Sequence, residues 1–83
     1  MNNVPQHPAR ITPETFVTIS KAMFPVDTAV RLTKALGAHR QSYYYWAKHG
    51  LKGQAAVHLR DLAALHVTEL RQRARIIDRF TTS

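Results

Sequence analysis

The residues that stop helices divide this chain into short pieces, and that punctuation limits what it can fold into. Thr12-Pro13-Glu14, Phe24-Pro25, Gly37, Gly50 and Gly53 recur at short, near-even intervals, and the stretches between them place apolar side chains three and four positions apart. Thr12 offers a capping hydroxyl, Pro13 suits the first helical position and Glu14 sits near the positive end of the helix dipole. A first helix is therefore predicted to run from there to about Met23, burying Phe16, Ile19 and Met23 and ending at Phe24-Pro25. Asp27 or Thr28 is expected to cap a second helix whose inner side is Val30, Leu32, Thr33 and Leu36, stopped at Gly37. A third spans Arg40 to about Lys48 and closes at Gly50. From Gly53 onward, Leu59, Leu62, Leu70, Ala74 and Ile77 keep the helical spacing. The cluster His66-Val67-Thr68 predicts a bend there, because β-branched residues and a capping hydroxyl come together. No stretch alternates in the manner of a strand, so the expectation is an all-α domain of four or five helices containing a helix-turn-helix.

Residues 1–11, with Pro5, Pro8 and few apolar side chains, read as a flexible N-terminal arm whose Arg10 can reach a nucleic-acid backbone. Residues 12–83 form the domain, with 54–83 as a C-terminal helical segment. A chain of 83 residues buries only a little over ~60% of its unfolded surface, so stability is expected to be marginal and helped by dimerisation.

Twelve Lys and Arg against five Asp and Glu give a net charge of +7, which makes a polyanion the natural partner. A membrane is not expected: the longest apolar run, Tyr43 to Ala47, falls far short of the ~20 residues a span needs. The N-terminus lacks the pattern of a secretory signal, so the expected location is cytoplasmic and DNA-associated. Absence of cysteine excludes disulfides, zinc ribbons and thiol nucleophiles.

The segment AVRLTKALGAHRQSYYYWAKHG, Ala29 to Gly50, carries the functional signal. With Tyr43 and Trp46 turned inward, the helical period turns His39, Arg40, Gln41, Tyr44, Tyr45 and Lys48 outward. Arg40 can bond guanine through two donors and Gln41 can pair with adenine, each worth ~1–3 kcal/mol of discrimination. A phenol of Tyr44 or Tyr45 can bond phosphate while its ring meets a thymine methyl, although either ring could equally pack on the first helix. Between Thr28 and Arg60 lie Arg31, Lys34, Arg40, Lys48, Lys52 and Arg60 and no carboxylate. Arg31, Lys34, Ser42, Lys48 and Lys52 are expected to meet phosphates, which makes binding fall steeply with salt.

This segment resembles the helix-turn-helix of the Cro and repressor family of phage and bacterial regulators, over about a quarter of the chain. Gly37 takes the turn, and Leu32, Leu36, Ala38, Tyr43 and Trp46 stand at the packing positions of that motif. Thr33 stands where the family usually has alanine, which tests the packing. Ala29 stands where it often has glutamine, which removes a phosphate contact. The family's base contacts match the positions of Arg40 and Gln41, so the resemblance implies base reading from His39, Arg40, Gln41, Tyr44 and Tyr45.

The remaining chemistry points away from an enzyme. His58 and His66 lie ~12 Å apart along one helix and cannot share an ion, no H-E-x-x-H occurs, and no carboxylate near His39 or His49 orients an imidazole, so neither metal nor cofactor is expected. Ser20, Ser42 and Ser83 lack a nucleophile context. The run Glu69 to Phe80 is an apolar stripe edged by arginines, which packs into its own core or forms a helix-to-helix dimer contact. Together these readings predict a homodimeric, sequence-specific duplex-DNA-binding regulator, a Cro-like repressor on a near-palindromic operator. The rivals are an antitoxin that represses its own operon and holds a toxin with its C-terminal helix, and a helical protein-interaction module that never touches DNA. RNA binding ranks last, because neither sheet aromatics nor a glycine loop is present.

Overall fold

The structure, a computed structural model, describes residues 9–82. In chain order it holds β1 (Arg10–Ile11), α1 (Pro13–Met23), α2 (Thr28–Leu36), α3 (Arg40–His49), β2 (Leu51–Lys52) and α4 (Gln54–Thr82). It is all-α, with a minimal two-stranded sheet. No helix of the described residues is long and apolar enough to cross a membrane.

α1 starts as its residues dictate. Thr12 is the N-cap and its hydroxyl accepts from the Thr15 amide at 3.2 Å, Pro13 opens the helix, and the Phe24 amide closes it on the Ser20 carbonyl. Its buried stripe is Phe16, Ser20 and Met23, with Ile19 only half-buried.

α2 departs from expectation in two ways. Asp27 takes the N-cap place in a left-handed conformation (φ 53°) and its side chain caps nothing, while the Thr28 hydroxyl donates backward to the Phe24 carbonyl. Neither side chain therefore caps the helix by the usual bond. Its inward face is Ala29, Leu32, Thr33 and Leu36, the i, i+3, i+4, i+7 positions. Val30, expected on that face, is 48% exposed, because one residue's rotation past Ala29 turns it out.

The core gathers Ile11, Phe16, Met23, Leu32, Tyr43, Leu51, Ala56 and Leu59 where α1, α2, α3 and the first half of α4 meet. Two of these come from the sheet, where Ile11 faces Leu51 and Arg10 faces Lys52 in antiparallel register. The expectation of an arm through residue 11 thus meets an ordered strand at Arg10–Ile11, while residues 1–8 lie outside the described residues. Strands of two residues are too short to show an alternating pattern, which is why an entirely helical reading missed them.

Gly50 makes the junction between α3 and β2 possible. Its φ is 81°, and a Cβ there would stand 2.5 Å from the Ile11 carbonyl oxygen. α4 then runs unbroken to Thr82, without the expected bend at His66-Val67-Thr68. The Thr68 hydroxyl donates to the Ala64 carbonyl at 3.1 Å, so it is satisfied inside the helix instead of starting a new one.

Candidate nucleic-acid interface

α2 and α3 form a helical hairpin about a turn set by Gly37. Gly37 adopts φ 68°, and the Ala38 amide reaches back to the Thr33 carbonyl at 2.8 Å while the Gly37 amide bonds the Lys34 carbonyl at 3.2 Å. This closes the carbonyl end of α2 and redirects the chain into α3 within three residues. His39 is the extended N-cap of α3, with no side-chain capping bond, which leaves its imidazole exposed beside the helix start.

Thr33, the departure at a packing position, is 3% exposed. Its hydroxyl donates to the Ala29 carbonyl at 2.7 Å, so the hydroxyl is hydrogen-bonded within its own helix. Threonine fits there without an unsatisfied polar group.

The orientation of α3 is fixed by aromatic packing on α1. Phe16 lies 5.1 Å from the Tyr43 ring and 5.9 Å, edge-on, from Trp46. Such pairs contribute ~0.5–1.5 kcal/mol beyond their buried area. Burial raises the Tyr43 phenol above its usual pKa of 10.0, with a smaller push from Tyr44.

With Tyr43 inward, Arg40, Gln41, Tyr44, Tyr45 and Lys48 are all exposed. Tyr44 and Tyr45 are 59% and 63% exposed, so neither packs on α1. Tyr44 stands edge-on against Tyr43 at 5.4 Å, and Tyr45 lies against the His49 ring at 4.5 Å. These contacts brace two large rings on the outer face of the helix. Helical geometry groups Gln41, Tyr44, Tyr45 and Lys48 on one strip, with Arg40 to its side and His39 at its end. Ser42 falls on the inner flank and is half-buried.

The chain matches no family model, no curated protein and no solved structure.

Of the other expected phosphate-contacting residues, Arg31 and Lys34 are exposed on α2, Lys48 on α3 and Lys52 on β2. The sheet groups cations that sequence spacing left apart. Arg10 faces Lys52 across the strands, and the Arg60 guanidinium of α4 donates to the Arg10 carbonyl at 3.3 Å. Arg10, Lys52 and Arg60 come from three separate elements, so their grouping depends on a strand pairing with no sequence signature. Arg10 and Lys52 border a shallow cleft that continues to Tyr45, Trp46 and His49 on α3. Among the described residues, no group of three or more His, Asp or Glu side chains could hold a metal ion.

Proposed function

We propose that this chain is a sequence-specific duplex-DNA-binding regulator that inserts α3 into the major groove, in the manner of a Cro-like repressor. The observation that carries the reading is the outer face of α3. Hydrogen-bonding and aromatic side chains stand exposed on a helix locked from behind by Phe16, Tyr43 and Trp46, and the surrounding stretch from Thr28 to Arg60 holds six cations and no carboxylate.

Three chemical tasks follow for these residues. Arg40 and Gln41, at the start of α3, read base edges through paired hydrogen bonds. Tyr44 and Tyr45 supply phenols for phosphate and ring surface for thymine methyls, with His39 beside the helix start. Arg31, Lys34, Lys48 and Lys52 neutralise phosphates on either side, and Arg10 and Arg60 extend that band. Duplex binding therefore carries a large salt-dependent term and a smaller, sequence-dependent one.

A helical protein-interaction module is the second reading. It draws support from Tyr44 and Tyr45, because exposed tyrosines are also favoured anchors between proteins. Selection of bound fragments from a random duplex library at two salt concentrations separates the two. Recovery of a defined site with steep salt dependence supports the regulator. Absence of duplex binding at low salt overturns it in favour of the interaction module.

A further inference from the structure

α4 is about 43 Å long at 1.5 Å per residue, and only its first half belongs to the globule. Ala56 and Leu59 are buried and Leu62, Ala63 and His66 are half-buried, His66 standing edge-on to Phe24 at 5.8 Å. Every described residue from Val67 onward is exposed. The apolar face nevertheless continues: Leu70 follows His66 by four residues, and Ile77 lies five turns beyond Leu59, in line with it. Leu65, Val67, Leu70, Ile76, Ile77 and Phe80 are between 44% and 82% exposed, while Arg71, Arg75 and Arg79 follow one another at four-residue spacing on the far side.

We propose that this distal half of α4 pairs antiparallel with the same segment of a second copy of the chain, about an axis level with Arg71 and Gln72. Area and charge both support this. Side chains of this size leave roughly 600 Å² of apolar surface open per copy, so a pair removes at most on the order of 1,200 Å² from water, the lower bound of specific interfaces. Glu69 and Arg73 are the charged residues on this side of the helix, one turn apart and opposite in sign. A parallel pair sets Arg73 against Arg73 and Glu69 against Glu69. An antiparallel pair sets each Glu69 beside the other copy's Arg73 and brings Phe80 over the small Ala63, where α4 enters the opposite globule.

This register fixes a distance. Leu59, where α4 passes through each core, lies ~37 Å along the axis from its counterpart, comparable with the ~34 Å of one duplex turn. The pairing stands independently of DNA, whereas the match to two half-sites of a near-palindromic operator rests on the proposed regulator reading.

Sedimentation equilibrium of the full chain, without DNA, tests the pairing. A dimer at micromolar concentration is expected, and Ile77→Asp should make it monomeric while Trp46 fluorescence stays unchanged. Glu69→Arg and Arg73→Glu, both on exposed side chains, should each weaken the dimer by ~10-fold or more, and mixing the two variants should restore it. Because the chain has no cysteine, single cysteines report orientation cleanly. Ala63→Cys mixed with Thr81→Cys should cross-link through a short bis-maleimide, and Thr81→Cys alone should not. A wild-type chain that stays monomeric at about 100 µM overturns the proposal, as does self-cross-linking of Thr81→Cys. A monomer that still binds a selected duplex leaves the regulator reading standing, so the two failures are distinguishable.

Discussion

α3 and the distal half of α4 are both surface helices, yet they expose opposite chemistries. α3 buries or half-buries its apolar residues Tyr43, Trp46 and Ala47 and shows water Arg40, Gln41, two phenols and Lys48. Distal α4 shows water Leu70, Ile76 and Ile77 and, among the described residues, has no core beneath them. The first is held in place by tertiary packing on α1. The second depends on its own backbone bonds, and an isolated helix of that length is marginal in water. The same periodicity thus yields a supported polar surface in one place and an exposed apolar face in the other.

Removing the support of α3 separates the two regions most sharply. Phe16→Ala deletes the ring on which Tyr43 and Trp46 pack and should lower stability by ~3–5 kcal/mol in urea unfolding, because Phe16 is fully buried. Gly50→Ala comes next: a positive φ and a contact of 2.5 Å with backbone should together cost about 2–4 kcal/mol and loosen the β1·β2 pairing. Amide exchange should then quicken at Ile11 and Leu51 while the distal amides of α4 change little.

A smaller effect, opposite in sign, is expected at Ser20. Its hydroxyl is buried without a hydrogen-bond partner among the described residues, so Ser20→Ala should raise the urea midpoint by the equivalent of ~1 kcal/mol. Equal or lower stability would show that the hydroxyl is satisfied in solution. The smallest effect is the pH response. Burial raises the Tyr43 pKa in the folded state, so its contribution is fully present below the usual value of 10.0 and is lost as pH rises through the folded value. The Tyr43 contribution should therefore stay constant through neutral pH and fall only above about pH 10, and Tyr43→Phe should remove this part of the fall.

Much of this arrangement was legible in the residues themselves. Thr12-Pro13 and Gly37 marked a helix start and a turn because their chemistry suits few other backbone states. With Tyr43 and Trp46 at the packing positions that the resemblance implies, the helical period turned Arg40, Gln41 and Lys48 outward but left Tyr44 and Tyr45 open between solvent and α1. What escaped depends on partners distant in sequence. Ile11 becomes core only through Leu51, and Arg10 joins Lys52 and Arg60 only through the strand register. Val30 and Thr68 misled for local reasons: one residue of helical phase at Val30, and at Thr68 a hydroxyl that bonded its own helix instead of capping another.

The most direct test of the DNA-reading claim compares Arg40→Ala with Lys52→Ala on a selected duplex and on random duplex, each at two salt concentrations. Arg40→Ala should lose ~1–3 kcal/mol on the selected site, with base preference relaxed at one position and little change on random DNA. Lys52→Ala should weaken both alike and reduce the salt slope by ~1. Equal losses on both duplexes for Arg40→Ala would contradict the assignment of α3 as the helix that reads sequence.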